Sequence, residues 1–169
     1  IDKTADCNSF TVTADNNIIR IRSKGIAKHA SIPDGSLNAA YIIAELLCYC
    51  NNLCDNDREI MLKVKNILSG SYGESLNVEH NDVNFGKTTT VNGMTKTENG
   101  KISLSFDCRY GDTYSSADIE SNSENALNNM GFDVTFKDNR CGFSIDKNSE
   151  IPLAFEDIYA ECTGTKAKS

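Results

Sequence analysis

The chain has 169 residues, of which 39% are hydrophobic and 24% charged. That is the length of one ordinary domain, with enough apolar content to build a core. Its formal net charge of -7 is spread out with no Lys/Arg run, which argues against nucleic-acid binding because phosphate neutralisation needs clustered positive charge. No apolar run approaches the roughly eighteen residues of a membrane span, and with a mean hydropathy of -0.40 the expectation is a soluble, cytoplasmic chain with no membrane partner.

The first residues, IDKTADC, have no basic n-region and no apolar h-region, so they do not read as a secretory signal. With no initial Met and a polar end, TGTKAKS, the chain reads as an excised fragment.

Residues 10–24 alternate as a hairpin. Phe10, Val12 and Ala14 face one way and Thr11, Thr13 and Asp15 the other, and Ile19 and Ile21 alternate with Arg20 and Arg22. Asn16-Asn17 suits a tight turn because Asn tolerates left-handed backbone. The stretch 25–39, GIAKHASIPDGSLNA, follows. Pro33 fixes its own φ and pushes Ile32 to extended backbone, Gly35 permits φ > 0, and Ser36 is the expected N-cap of the next helix. The stiff loop presents His29, one of two histidines. A loop histidine is most often a solvated or hydrogen-bonded residue. A functional one needs such a scaffold to hold it.

Ile42, Ile43, Leu46, Leu47 and Cys50 recur at helical spacing and predict a helix over 37–53. A second helix is predicted over 57–68, with Asn56 and Glu59 as a capping box and Gly70 as its stop. The stretch 69–87 is rich in Gly, Ser and Asn and reads as the least ordered part, with His80 as a solvated loop residue. Its GKT (Gly86 to Thr88) is no phosphate loop, because Asn81 stands where the motif's first Gly belongs.

Residues 94–98 and 101–110 flank Asn99-Gly100, a strong type I′ hairpin signal. Ile102, Leu104, Phe106 and Cys108 form one face of the second strand, and Ser103, Ser105, Asp107 and Arg109 the other. Arg109 at the strand end admits two readings: a solvated cation paired with Asp107, or a guanidinium presented to a carboxylate. Ser115 or Ser116 caps a third helix that Gly131 ends. Phe132, Val134 and Phe136 predict another strand, and residues 141–145 a short apolar piece. A last helix has Pro152 in its first turn and ends at Gly164.

Seven cysteines are an odd count at irregular spacing. No Cys or His pair has a ligand spacing that completes a zinc site. Cys48, Cys50 and Cys54 fall in a helical pattern, with Cys50 and Cys54 on one face, and they read as small buried hydrophobes in a reducing compartment.

The short turns make the strands antiparallel, and helices connect them without a βαβ series. This predicts an α+β fold, a ferredoxin-like antiparallel sheet with helices packed on one face.

The pattern carried by Gly25, His29, Ser31, Pro33, Gly35, Asn38 and Ala39 resembles the lid, or dimerisation, domain of the di-zinc peptidases that include carnosinase and aminoacylase. Phe106 to Tyr110 is similar to that family's strand ending in D-x-R-Y. The run from Pro152 to Lys166 resembles the return segment of bacterial Xaa-His dipeptidases of the PepV type. The resemblance implies that residues 1–150 are a lid incomplete at its N-terminal side, and that 151–169 begin the return to an absent catalytic domain. It implies a zinc-dependent dipeptidase whose two zinc ions sit in that other domain, with no metal ligands and no activity in this fragment alone. His29 would stabilise the oxyanion and contact substrate, and Arg109 would grip the dipeptide's terminal carboxylate. Gly111 departs from the pattern, where Pro is frequent. The alternatives are a dimerisation domain of a desuccinylase, aminoacylase or carboxypeptidase type, or a non-catalytic ferredoxin-like interaction module. The expected state is a monomer or weak dimer.

Overall fold

The computed structural model describes residues 10–16, 18–140 and 142–167. Strand β1 (Phe10–Asp15) pairs antiparallel with β2 (Ile18–Ser23), placing Val12 opposite Ile21 and Ala14 opposite Ile19. Asn16 turns with φ 46°. Asn17, the other residue of the expected turn, lies outside the described residues.

Helix α1 (Ala39–Cys48) is shorter than the spacing predicts. Its N-cap is Asn38, not Ser36: the Asn38 side chain accepts from the backbone N–H groups of Ala40 (2.9 Å) and Tyr41 (3.1 Å). Ser36 instead closes a turn onto Pro33. At the other end Arg58 donates to the carbonyls of Cys48, Cys50 and Leu53, satisfying helix-end acceptors that would otherwise lack partners. Cys50 and Cys54 therefore lie outside α1 and share no helix face. Cys54 is exposed, and Cys48 and Cys50 are half-buried free thiols.

Helix α2 (Asp55–Ile67) starts two residues before the predicted position. The expected capping box is not formed. Cys54 is the N-cap without a side-chain bond, and Glu59 pairs with Lys63 at 2.9 Å. Asp55 and Asp57 in the first turn complement the helix dipole instead.

The stretch after α2 departs most from expectation. A 3₁₀ turn (Glu74–Leu76) sits between left-handed Gly73 and Asn77 and sinks Leu76 and Val78 into the core. The pair β3 (Asn81–Asp82) and β4 (Gly86–Lys87) closes a small hairpin. Then β5 (Thr89–Glu98) pairs with β6 (Lys101–Arg109) through Asn99 (φ 51°) and Gly100 (φ 73°), the type I′ signature. Helix α3 (Ser116–Asn129) has Ser115 as its cap, and Gly131 (φ 84°) follows its end.

Phe132 and Val134 are half-buried and Asp133 and Thr135 exposed, but Phe136, expected on the buried face, is exposed, and these residues form no strand. They run across from β6, separated from it by a hollow of ≈ 970 Å³, so no ladder closes. Residues 142–145 carry no regular element, and Cys141 lies outside the described residues. Helix α4 (Glu150–Thr163) ends at Gly164 (φ 70°) and has no buried residue.

The architecture is α+β. Among the described residues it holds three two-stranded antiparallel ribbons, not one four-stranded ferredoxin-like sheet. The apolar face of β6 joins two core clusters. Phe106 packs against both the cluster of Ala44, Val64 and Leu68 and the cluster of Leu76, Val78 and Ile119. Ribbon β5–β6 thus packs on the helices through Ile102, Phe106 and Cys108, with Phe106 common to both clusters. No helix among the described residues is long and apolar enough to cross a membrane.

Candidate functional site

The loop carrying His29 is a closed structure. Ile26 and Leu37 exchange backbone hydrogen bonds at 2.9 and 3.0 Å, pinching it at the base. Inside, Ile32 N–H donates to His29 C=O and Ser36 N–H to Pro33 C=O, both at 2.9 Å. Pro33 is buried, and Gly35 takes φ 72°. The Ser23 hydroxyl donates to Ala39 C=O at 2.7 Å, tying the incoming strand to the outgoing helix. The loop tip is held from outside: the Tyr72 hydroxyl donates to Asp34 at 2.5 Å. That bond pushes the Tyr72 phenol up in pKa, because ionising it would place a second anion beside the carboxylate.

His29 is exposed. Its Nδ1 meets the Ser31 hydroxyl at 2.7 Å and accepts from the Ser31 backbone N–H at 3.3 Å. A backbone N–H only donates, so a proton on Nδ1 would face another proton. We therefore assign neutral His29 the Nε2–H tautomer. Nε2–H then has no hydrogen-bond partner among the described residues.

Arg109 is also exposed, and Asp107 holds its fork: Nε lies 2.8 Å from one carboxylate oxygen and the terminal nitrogen 2.8 Å from the other. The paired-cation reading describes this geometry. No contact joins Arg109 to His29. Arg109 lines the ≈ 970 Å³ hollow between β6 and residues 132–140. The base of the His29 loop lines a different one of ≈ 650 Å³, bounded by Lys28, Pro33 and the β5 bulge at Gly93. There Asn38 donates to Asn92 at 3.4 Å, and the Asn92 amide fills the bulge by donating to Met94 and Ser105 carbonyls.

A second polar cluster was not singled out by the sequence reading. Asp82, only 3% exposed, accepts from the backbone N–H groups of Asn84 (2.7 Å), Phe85 (3.0 Å) and Thr113 (3.2 Å), and from the Thr113 hydroxyl (2.5 Å). Thr113 also meets His80 Nε2 at 3.0 Å, and the His80 ring lies 4.8 Å from that of Tyr114. His80 is therefore a half-buried, partnered residue and not a solvated one. The available sequence signal was Asp82 two residues before Asn84 and four before Gly86, the pattern of an Asp-initiated turn.

The donors on Asp82, the Thr113 hydroxyl first, lower its pKa from 3.8 to about 2. A carboxylate whose folded pKa is lowered adds stability that is complete above its unfolded pKa and disappears as pH falls through the folded one. The chain is expected to lose stability between about pH 4 and pH 2, and Asp82→Asn should flatten that part of the curve. Urea midpoints measured across this range check it. An unchanged slope in the variant would show that other carboxylates carry the acid transition.

The Cys108 thiol is pushed up to about 11 by burial, so it is an inert core group. Among the described residues no three His, Cys, Asp or Glu side chains converge on a point where a metal ion could sit.

No protein-family profile matches the chain. No curated protein matches it significantly in sequence.

Proposed function

We propose that this chain is the substrate-binding lid of a zinc-dependent dipeptidase, acting in the cytoplasm together with a catalytic domain that holds the metals. One observation supports this most directly: His29, on a loop pinched at its base and pinned at its tip, has its Nδ1 occupied by Ser31 and keeps Nε2–H to donate. A donor fixed in advance costs no reorganisation when charge develops on a carbonyl oxygen. Zinc in the partner domain would polarise that carbonyl and activate water. In this reading the chain's share is binding and charge stabilisation.

Arg109 is the carboxylate grip in this reading. Its bond to Asp107 is exposed, and exposed ion pairs contribute only ~0–1 kcal/mol, so a substrate carboxylate can share or displace it.

Half a site should bind weakly. Titrating the isotope-labelled chain with a dipeptide should move the His29 and Arg109 side-chain resonances with a dissociation constant of about 1 mM or weaker, a few kcal/mol of binding. Arg109→Met should abolish the response to a dipeptide but not to its C-terminal amide. Resonances that stay still at saturating dipeptide would refute the reading.

The alternative dimerisation-domain reading draws on exposed apolar groups of α4, Ile151, Phe155 and Ile158, each more than half exposed. A stable dimer in gel filtration would favour it.

A further inference from the structure

The Asp82–Thr113–His80 chain has a direction that the number of available protons dictates. Asp82 is ionised and can only accept. The Thr113 hydroxyl has one proton and spends it on Asp82 at 2.5 Å. Its oxygen therefore meets His80 Nε2, 3.0 Å away, as an acceptor, and the proton between them belongs to His80. Neutral His80 is then the Nε2–H tautomer, and the lone pair is on Nδ1. Among the described residues Nδ1 has no hydrogen-bond partner. The Tyr114 ring, 4.8 Å away and tilted by 44°, limits the ring's swing on one side. The close fit reaches the backbone: a Cβ on Gly111 would lie 2.4 Å from the Asp82 carboxyl carbon, so only glycine lets Asp82 sit there.

We infer that His80 is a working imidazole of this protein, a proton acceptor at Nδ1 for a ligand bearing a hydroxyl or ammonium group, with Thr113 and Asp82 as its positioning residues. This inference is independent of the peptidase reading. When the ligand's proton moves to Nδ1, the ligand keeps the electron pair and His80 becomes imidazolium. Nε2–H still donates to Thr113, Thr113 still donates to Asp82, and no proton reaches the carboxylate. Asp82 stands one hydroxyl beyond the ring and keeps its donors throughout. His29 has the opposite polarity: its Nδ1 lone pair is taken by Ser31, and it offers only a donor.

Two measurements on the chain test this. In ¹⁵N spectra recorded above the imidazole range, His80 should show a protonated Nε2 and a bare Nδ1. Thr113→Val should mix the tautomers and Thr113→Ser should restore them. The second probe is diethyl pyrocarbonate. An imidazole lone pair attacks one of its carbonyl carbons, an N–C bond forms, ethyl carbonate leaves and breaks down to carbon dioxide and ethanol, and the ring's N–H proton goes to water. His80 should be carbethoxylated about fivefold faster than His29, the factor that one ~1 kcal/mol hydrogen bond on the His29 lone pair supplies. Protonated Nδ1 in the wild-type spectrum, a tautomer unchanged in Thr113→Val, or His80 reacting no faster than His29 would each overturn the inference. The wild-type spectrum and the labelling rates decide it even where Thr113→Val does not fold.

Discussion

Gly73→Ala is expected to cost about 3–5 kcal/mol and to unfold much of the chain at room temperature. Gly73 has φ +94°, where a side chain is strained whatever the space around it. Space is also lacking. A Cβ there would lie 2.8 Å from the Val78 carbonyl carbon and 2.9 Å from the Glu79 nitrogen. Both are backbone atoms of the turn that carries Leu76 and Val78 into the core, and Val78 is fully buried. The Gly73 carbonyl accepts from Leu76 and Val78, and its N–H donates to the buried Thr90 hydroxyl. Moving this backbone would break three hydrogen bonds and uncover one of the two core clusters together. Urea denaturation followed by far-ultraviolet circular dichroism measures the loss. Gly100→Ala is the control: Gly100 has φ +73° but nothing within 4 Å of its would-be Cβ, so it should lose only about 1–2 kcal/mol from backbone strain. Equal losses in the two variants would mean that the close approach to Val78 contributes nothing.

That turn also shows where sequence reading stops. The Asn99-Gly100 hairpin was legible because its turn chemistry is local: two residues with φ > 0 admit few other sequences. Helix α3 was legible from Ser115 at one end and Gly131 at the other. In 69–87, only Leu76 and Val78 are buried hydrophobes, too few for a period, and their burial follows from a fold-back at Gly73 that no pattern announces. Ser36 and Asn38 are both good capping residues. The Ile26–Leu37 bridge decides between them by holding Ser36 in the loop. Alternation holds over 132–135 and fails at the exposed Phe136, and a strand also needs a partner's backbone within reach. His29 was legible as a held imidazole because Pro33 and Gly35 stiffen its own loop. His80 was not, because its partner Thr113 lies 33 residues away and only tertiary structure joins them. Arg109 and Asp107 were legible as a pair from strand alternation alone.

Gly25→Ala should separate the loop's stability from its function. A Cβ on Gly25 would lie 2.5 Å from the Leu37 carbonyl oxygen, 3.1 Å from the Ala39 nitrogen and 3.3 Å from the Ala39 Cβ. The Leu37 carbonyl accepts from Ile26 to close the base of the His29 loop. The new methyl group must push that carbonyl away, so both hydrogen bonds of the bridge are lost, at a cost of about 2–4 kcal/mol once overpacking is included. The core clusters lie elsewhere, around Phe106, so the chain should remain folded. With the base open, Ser31 and His29 keep their local bond but lose their fixed place relative to the body. Dipeptide titration of this variant should then leave the Arg109 response intact while the His29 response disappears. Hydrogen exchange at the Ile26 and Leu37 amides should rise to that of an exposed loop. A His29 response that survives with the bridge amides unprotected would mean that the imidazole needs no scaffold, and the loop would then be a connection and not a device for presenting a donor.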